Sequence, residues 1–127
     1  MPLTTAGAQF LAKAATGLNS PTLFSAANAH LAVGDSATAF AIGQTDLQAA
    51  TNKARKLVTS INESAGVLTL VASFATNEAN FEWVEWGVAN ASSGGTLLGR
   101  KVESPTLGTK VNTQVWTLSS TVTFAAS

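Results

Sequence analysis

The sequence predicts a mainly β fold, an antiparallel β-sandwich or barrel-like domain preceded by a short N-terminal helix. Three observations lead there. From Arg55 onward, apolar residues recur at a spacing of two, the period of a strand with one buried face. The strand-like runs are short and separated by polar or Gly/Ser-rich turns, with no long helical segment between them. The chain has 127 residues, the length of one ordinary domain that can bury a core without disulfides or metal. We therefore read residues 1–127 as a single domain, with 1–18 as a helix or arm and 27–125 as the β core.

The elements follow in order. Thr4 or Thr5 offers a hydroxyl to cap a helix start, and Phe10, Leu11, Ala14 and Ala15 then fall at helical spacing. Gly17 suits the left-handed residue that ends such a helix, and Asn19, Ser20 and Pro21 form a break. Leu23–Asn28 has no clear pattern. Ala29–Val33 reads as a strand closed by Gly34 and Asp35. Ser36–Thr45 is irregular, the kind of segment that commonly binds or contacts in a compact domain. Thr45 followed by Gln48 resembles a capping box, predicting a helical turn over Asp46–Ala50.

Period two then takes over. Arg55–Ile61 is read as one strand and Asn62–Gly66 as a polar turn. Val67–Thr76 is a strand with Leu68, Leu70, Ala72 and Phe74 on one face. Asn77–Asn80 is a corner. Phe81–Ala89 is read as one strand, which places Trp83 and Trp86 on opposite faces, and likewise Glu82 and Glu85. Ala91–Gly95 is a turn. Thr96–Val102 is a strand in which Gly99 marks a bulge or a close backbone approach. After a loop around Pro105 and Gly108, Val111–Phe124 is read as a long strand, with Trp116, Leu118, Val122 and Phe124 inward and a Thr-rich wet face outward.

Composition narrows the function. Charged residues are only 11% and the net charge is zero, so there is no basic footprint for nucleic acid. Ala, Ser and Thr make up about 40% of the chain, well above ordinary usage. A neutral surface of that kind resists self-association poorly, which suits an assembly. No apolar run reaches the roughly 18 residues of a membrane span, and the start lacks the pattern of a signal peptide. The chain has no cysteine, hence no thiolate site, and suits assembly in a reducing cytoplasm.

No constellation of catalytic type stands out, and we expect no enzyme, cofactor or metal. His30 is the only histidine, has no Ser or Cys motif beside it, and is better read as structural. Asp35 and Asp46 lack the dense acidic ladder of a calcium loop. Gly34-Asp35-Ser36 lacks the strand–turn–helix setting of a nucleophile and is explained by a turn. Trp83 and Trp86 could stack on sugars if exposed. The plainer reading is that one fills the core and the other packs under a loop or against a neighbouring subunit.

The order of residues carries a resemblance. Ala27-Asn28-Ala29-His30-Leu31-Ala32-Val33-Gly34-Asp35-Ser36 resembles the segment NANAYIGVGDS of small bacteriophage virion proteins. Ala39-Phe40, Gln44-Thr45-Asp46-Leu47-Gln48 and Thr51 to Lys56 continue it. So do Phe74 to Phe81, Trp83, Glu85-Trp86-Gly87-Val88, Ser93 to Leu98, Arg100 and Gly108-Thr109-Lys110. The likeness spans nearly the whole chain. It departs at His30, where an aromatic is usual, and at Ala89, where Phe is common. The resemblance implies a virion structural protein. Its leading form is a capsid decoration (cement) protein on the outer head shell, often a homotrimer bound to the major capsid protein, with neither nucleic acid nor membrane as partner. A tail, collar or fibre-base protein is the alternative, and a carbohydrate-binding module using Trp83 or Trp86 is the alternative of another class. Under the leading reading, the helix and the Ser36–Thr45 loop make the contacts. The candidates are Phe10, Leu11, Ser36, Phe40, Ile42, Trp83 and Trp86, and removal of residues 1–18 is expected to leave a folded domain that no longer joins the particle.

Overall fold

The computed structural model describes residues 1–124; the expected end of the β core at residue 125 lies outside them. The fold is mainly β. Among the described residues, one helix, α1 (Thr5–Thr16), precedes nine strands: β1 (His30–Gly34), β2 (Lys53–Leu57), β3 (Ser60–Ser64), β4 (Val67–Phe74), β5 (Glu82–Trp83), β6 (Glu85–Ala89), β7 (Leu97–Val102), β8 (Gly108–Thr109) and β9 (Trp116–Thr123). All pairing is antiparallel. A four-stranded sheet runs β2-β1-β6-β7, a three-stranded sheet runs β3-β4-β9, and β5 pairs with β8 alone.

The two larger sheets pack as a sandwich. Leu31, Val33, Trp86 and Val88 face inward from one, and Leu70, Ala72, Phe74 and Val122 from the other. Along β4 this alternation is the one read from the sequence, with Leu70, Ala72 and Phe74 buried and Thr69, Val71 and Ser73 half-buried between them. The aromatic centre is Trp83, edge-on to both Phe74 and Trp116 at 5.0 Å. Its indole N–H is satisfied by the Ala79 carbonyl at 3.0 Å, which removes the penalty of burying a lone donor. Apolar burial of this kind stabilises by about 25 cal/mol per Å².

The helix is fixed at both ends as the sequence suggests. Thr4 Oγ1 accepts the Gly7 N–H at 2.9 Å, and Gly17 ends the helix at φ 69°. The segment before it is also built into the sheet. The Thr4 N–H donates to Leu98 O, the Arg100 N–H donates to Pro2 O, and Leu3 bridges Gly99. Gly99 permits this, since a Cβ there would strike the Pro2 carbonyl. A register shift between Val88 and Ala89 adds a bulge opposite the same place. Both features expected of Gly99 are therefore present.

Four expectations need correction. Arg55–Ile61 is two strands in different sheets: the chain turns at Val58 and Thr59, leaving β2 in one sheet and taking β3 into the other. Part of the expected polar turn, Asn62–Ser64, accordingly belongs to β3. The helical turn over Asp46–Ala50 is absent. Phe81–Ala89 breaks at Val84, so Trp83 and Trp86 do not lie on opposite faces of one strand but enter the same core. Val111–Phe124 is a strand only from Trp116; the Gln114 N–H donates back to Val111 O in a turn before it.

Candidate functional site

The outer face of the four-stranded sheet carries the loop with three of the seven expected contact residues, Ser36, Phe40 and Ile42. At its centre is a buried ion pair that sequence reasoning passed over. Glu85 starts β6 and points away from the inter-sheet core. It sits opposite Gly34 in the register, and a Cβ at Gly34 would collide with its carboxylate. From the neighbouring β7, Arg100 Nε donates to Glu85 Oε1 at 2.7 Å, and both side chains are 0% exposed.

A buried pair of this type loses much hydration, and its mutual attraction offsets that loss only when the remaining lone pairs are bonded. Here they are. Glu85 Oε1 also accepts the Gln48 N–H at 2.7 Å, and Oε2 accepts the Ala49 N–H at 2.9 Å and the Ser36 N–H at 3.2 Å. Arg100 Nη1 donates to Gln44 Oε1 at 3.2 Å. One carboxylate thus pins both ends of the irregular segment 36–49. The Ala49 N–H, which a helix capped at Thr45 would give to the Thr45 carbonyl, is instead held by Glu85 Oε2.

Between its pinned ends the loop is bound to the helix. The Thr5 N–H donates to Ile42 O at 2.8 Å, and Gln44 Nε2 donates to Ala39 O at 3.0 Å. The two segments expected to make contacts are therefore neighbours on one face. Beside them, Asp46 binds Lys53 at 2.9 Å and Arg55 at 3.3 Å. Burial raises the Asp46 pKa, but Lys53, the Leu47 N–H and Arg55 together hold it below the ordinary carboxylate value. Arg55 Nη1 also donates to Ala91 O and Gly94 O, tying the β6–β7 turn to β2.

The seven candidate contact residues separate clearly. Ile42 is 66% exposed at the loop apex, and Ser36 and Phe40 are half-buried nearby. Phe10 is buried edge-on against Phe24 at 4.8 Å, and Leu11 packs partly on the core. Trp83 and Trp86 are 2% and 7% exposed, and the Trp86 indole N–H donates to Glu103 Oε1 at 2.9 Å. Neither indole presents a face on which a sugar can stack. Residues of the first 18 are packed on the sandwich: Thr4 and Phe10 are buried, and Pro2–Thr4 bond to the edge of β7.

Elsewhere the polar groups are engaged in structure. The His30 ring nitrogen Nδ1 lies 2.7 Å from Asn28 O, and Asp35 accepts from Asn52 at 2.8 Å. Lys110 is buried, with Nζ donating to Ala75 O at 2.7 Å and Asn80 Oδ1 at 2.8 Å. Its signal in the sequence was faint: one Lys next to a Gly-Thr pair in a chain with few charges. Among the described residues, no group of three or more His, Asp, Glu or Cys is placed to hold a metal ion, and no buried side-chain nitrogen or oxygen lacks a partner. Compared with known families, curated proteins and solved structures, the chain matches none of them.

Proposed function

We propose that this chain is a structural protein of a bacteriophage particle, a decoration or cement protein that binds the outer surface of the head shell. One observation supports the reading most. The separate segments that carry the resemblance to virion proteins converge in space on one device. Gly34 and Ser36 come from the segment Ala27–Ser36, Gln44 and Gln48 from Gln44–Gln48, Glu85 from Glu85–Val88, and Arg100 stands apart. Their joint effect is to hold an irregular loop, with exposed Ile42 at its apex, against a helix. A loop held in advance loses little conformational entropy on binding. Many copies on one lattice would add avidity to a weak single contact. In this proposal the partner is the major capsid protein, the chain forms a homotrimer on the shell, and the protein resides in the virion after assembly in the host cytoplasm.

The test is electron cryo-microscopy of particles carrying the wild-type chain or Ile42→Asp. Expected is density on the outer shell, with Ile42→Asp folded in solution but missing from the shell. Density confined to the tail or neck would replace the decoration role with a tail role, and absence from the particle would end both.

A further inference from the structure

The sandwich has four outer strand edges, and three of them are guarded. β7 is covered by Pro2–Thr4, which bond to Leu98, Gly99 and Arg100. β2 carries Lys53, Arg55 and Lys56. β3 is only 5 residues long and bears Glu63. These are the devices by which proteins keep sheet edges from pairing with other chains. The fourth edge, β9, has none of them. It runs 8 residues, WTLSSTVT, without charge, proline or bulge, and among the described residues pairs only with β4.

The register says which groups are open. The Phe124 N–H donates to Gly66 O, so the even-numbered residues of β9 face β4 in the ladder. The N–H and C=O groups of Thr117, Ser119, Thr121 and Thr123 are directed to the free side. All four residues are exposed.

We infer that β9 is a self-pairing edge that joins two copies of this chain through antiparallel β9–β9 addition. The argument for a second copy is self-complementarity. With a two-fold axis at Ser120, Thr117 meets Thr123 of the second copy and Ser119 meets Thr121 of the second copy, in hydrogen-bonded pairs on both sides. Leu118 lies opposite Val122 of the second copy on the inner face, where both are already partly or fully buried. Thr–Thr and Thr–Ser pairs are favourable across strands, and no like charges meet. The product is one continuous sheet, β3-β4-β9 followed by its symmetry mate, with an isologous contact. This contact is two-fold, is distinct from any three-fold contact on a shell, and does not depend on the particle reading.

The test is sedimentation equilibrium of the purified chain, with two double variants at the same positions. Ser119→Lys with Thr121→Lys places like charges opposite each other in both symmetric pairs. Ser119→Lys with Thr121→Glu places opposite charges there. All four N–H groups of β9 that bond β4 are untouched, and circular dichroism checks that each variant folds. Expected is a dimer whose dissociation constant rises about tenfold or more in the first variant and does not rise in the second. A chain that stays monomeric at about millimolar concentration, where even a weak pair of this kind assembles, would overturn the inference. So would equal weakening in both variants, which would place the contact elsewhere or in another register.

Discussion

The two faces of the four-stranded sheet are built on different physics. Its inner face is apolar and meets the other sheet through Leu31, Val33, Trp86 and Val88. Its outer face centres on Glu85 and Arg100, with Gly34 clearing space for the Glu85 carboxylate. Inside, stability is spread over many small contacts, so the loss of one side chain is felt in proportion to its area. Outside, it is concentrated in a few charge-assisted hydrogen bonds converging on one carboxylate, so one side chain governs a whole segment. The lesson is that a surface loop can be as ordered as a core, provided its backbone donors have one fixed acceptor.

The largest expected effect tests the outer face. Glu85→Ala strands a buried guanidinium and frees three backbone N–H groups. Urea unfolding should show a loss of about 3–5 kcal/mol, and limited proteolysis should cut within residues 37–43. Glu85→Leu combined with Arg100→Met should recover most of the stability while the loop stays cleavable, because its N–H groups still lack an acceptor. An uncut loop in both variants would abolish the distinction between the faces.

Leu70→Ala tests the inner face. Leu70 is fully buried, and its truncation should lower stability by about 2–5 kcal/mol through lost contact and a cavity. Proteolysis at residues 37–43 should then rise no faster than global unfolding. Preferential cutting of the loop in Leu70→Ala would mean that the two faces are one unit.

The smallest effect is expected from acid. The Trp86 indole N–H, opposed by burial and helped by Lys101, lowers the Glu103 pKa. Lys56 and the Ala75 N–H lower that of Glu78, and Asp46 is lowered as described. Each is more acidic folded than unfolded, so its contribution is present above the ordinary carboxylate pKa and is lost as pH falls through the folded value. The melting temperature should thus be level near neutrality and decline below about pH 4. Glu103→Gln should flatten part of that decline. A melting temperature that rises on acidification would contradict these pairings.

Much of the inner face was legible in the sequence. Leu70, Ala72 and Phe74 alternate with half-buried residues as period two requires, and Thr4 and Gly17 marked the helix ends. The sheet changes at Val58 and Val84 were not legible. Both strands continue the same local pattern across the break, and only long-range pairing decides which sheet each half joins. That is why Trp83 and Trp86, three positions apart, share one core instead of dividing between two faces. The outer face was legible only in outline. Ser36–Thr45 read correctly as irregular, but Glu85 gave no periodic signal, and its partners lie as far as 49 positions away. Charge within a strand-like run was the available hint, but the same run also carries Glu82, which is exposed, so it did not single out Glu85.

The convergence of three amides on Glu85 also sets a clock. Ser36, Gln48 and Ala49 belong to no helix or sheet ladder, and amides in such positions ordinarily exchange hydrogen with solvent quickly. Here all three can exchange only when the same carboxylate lets go. They should therefore exchange slowly and at one common rate, marking the loop as a single opening unit whose lifetime is that of one side chain's grip.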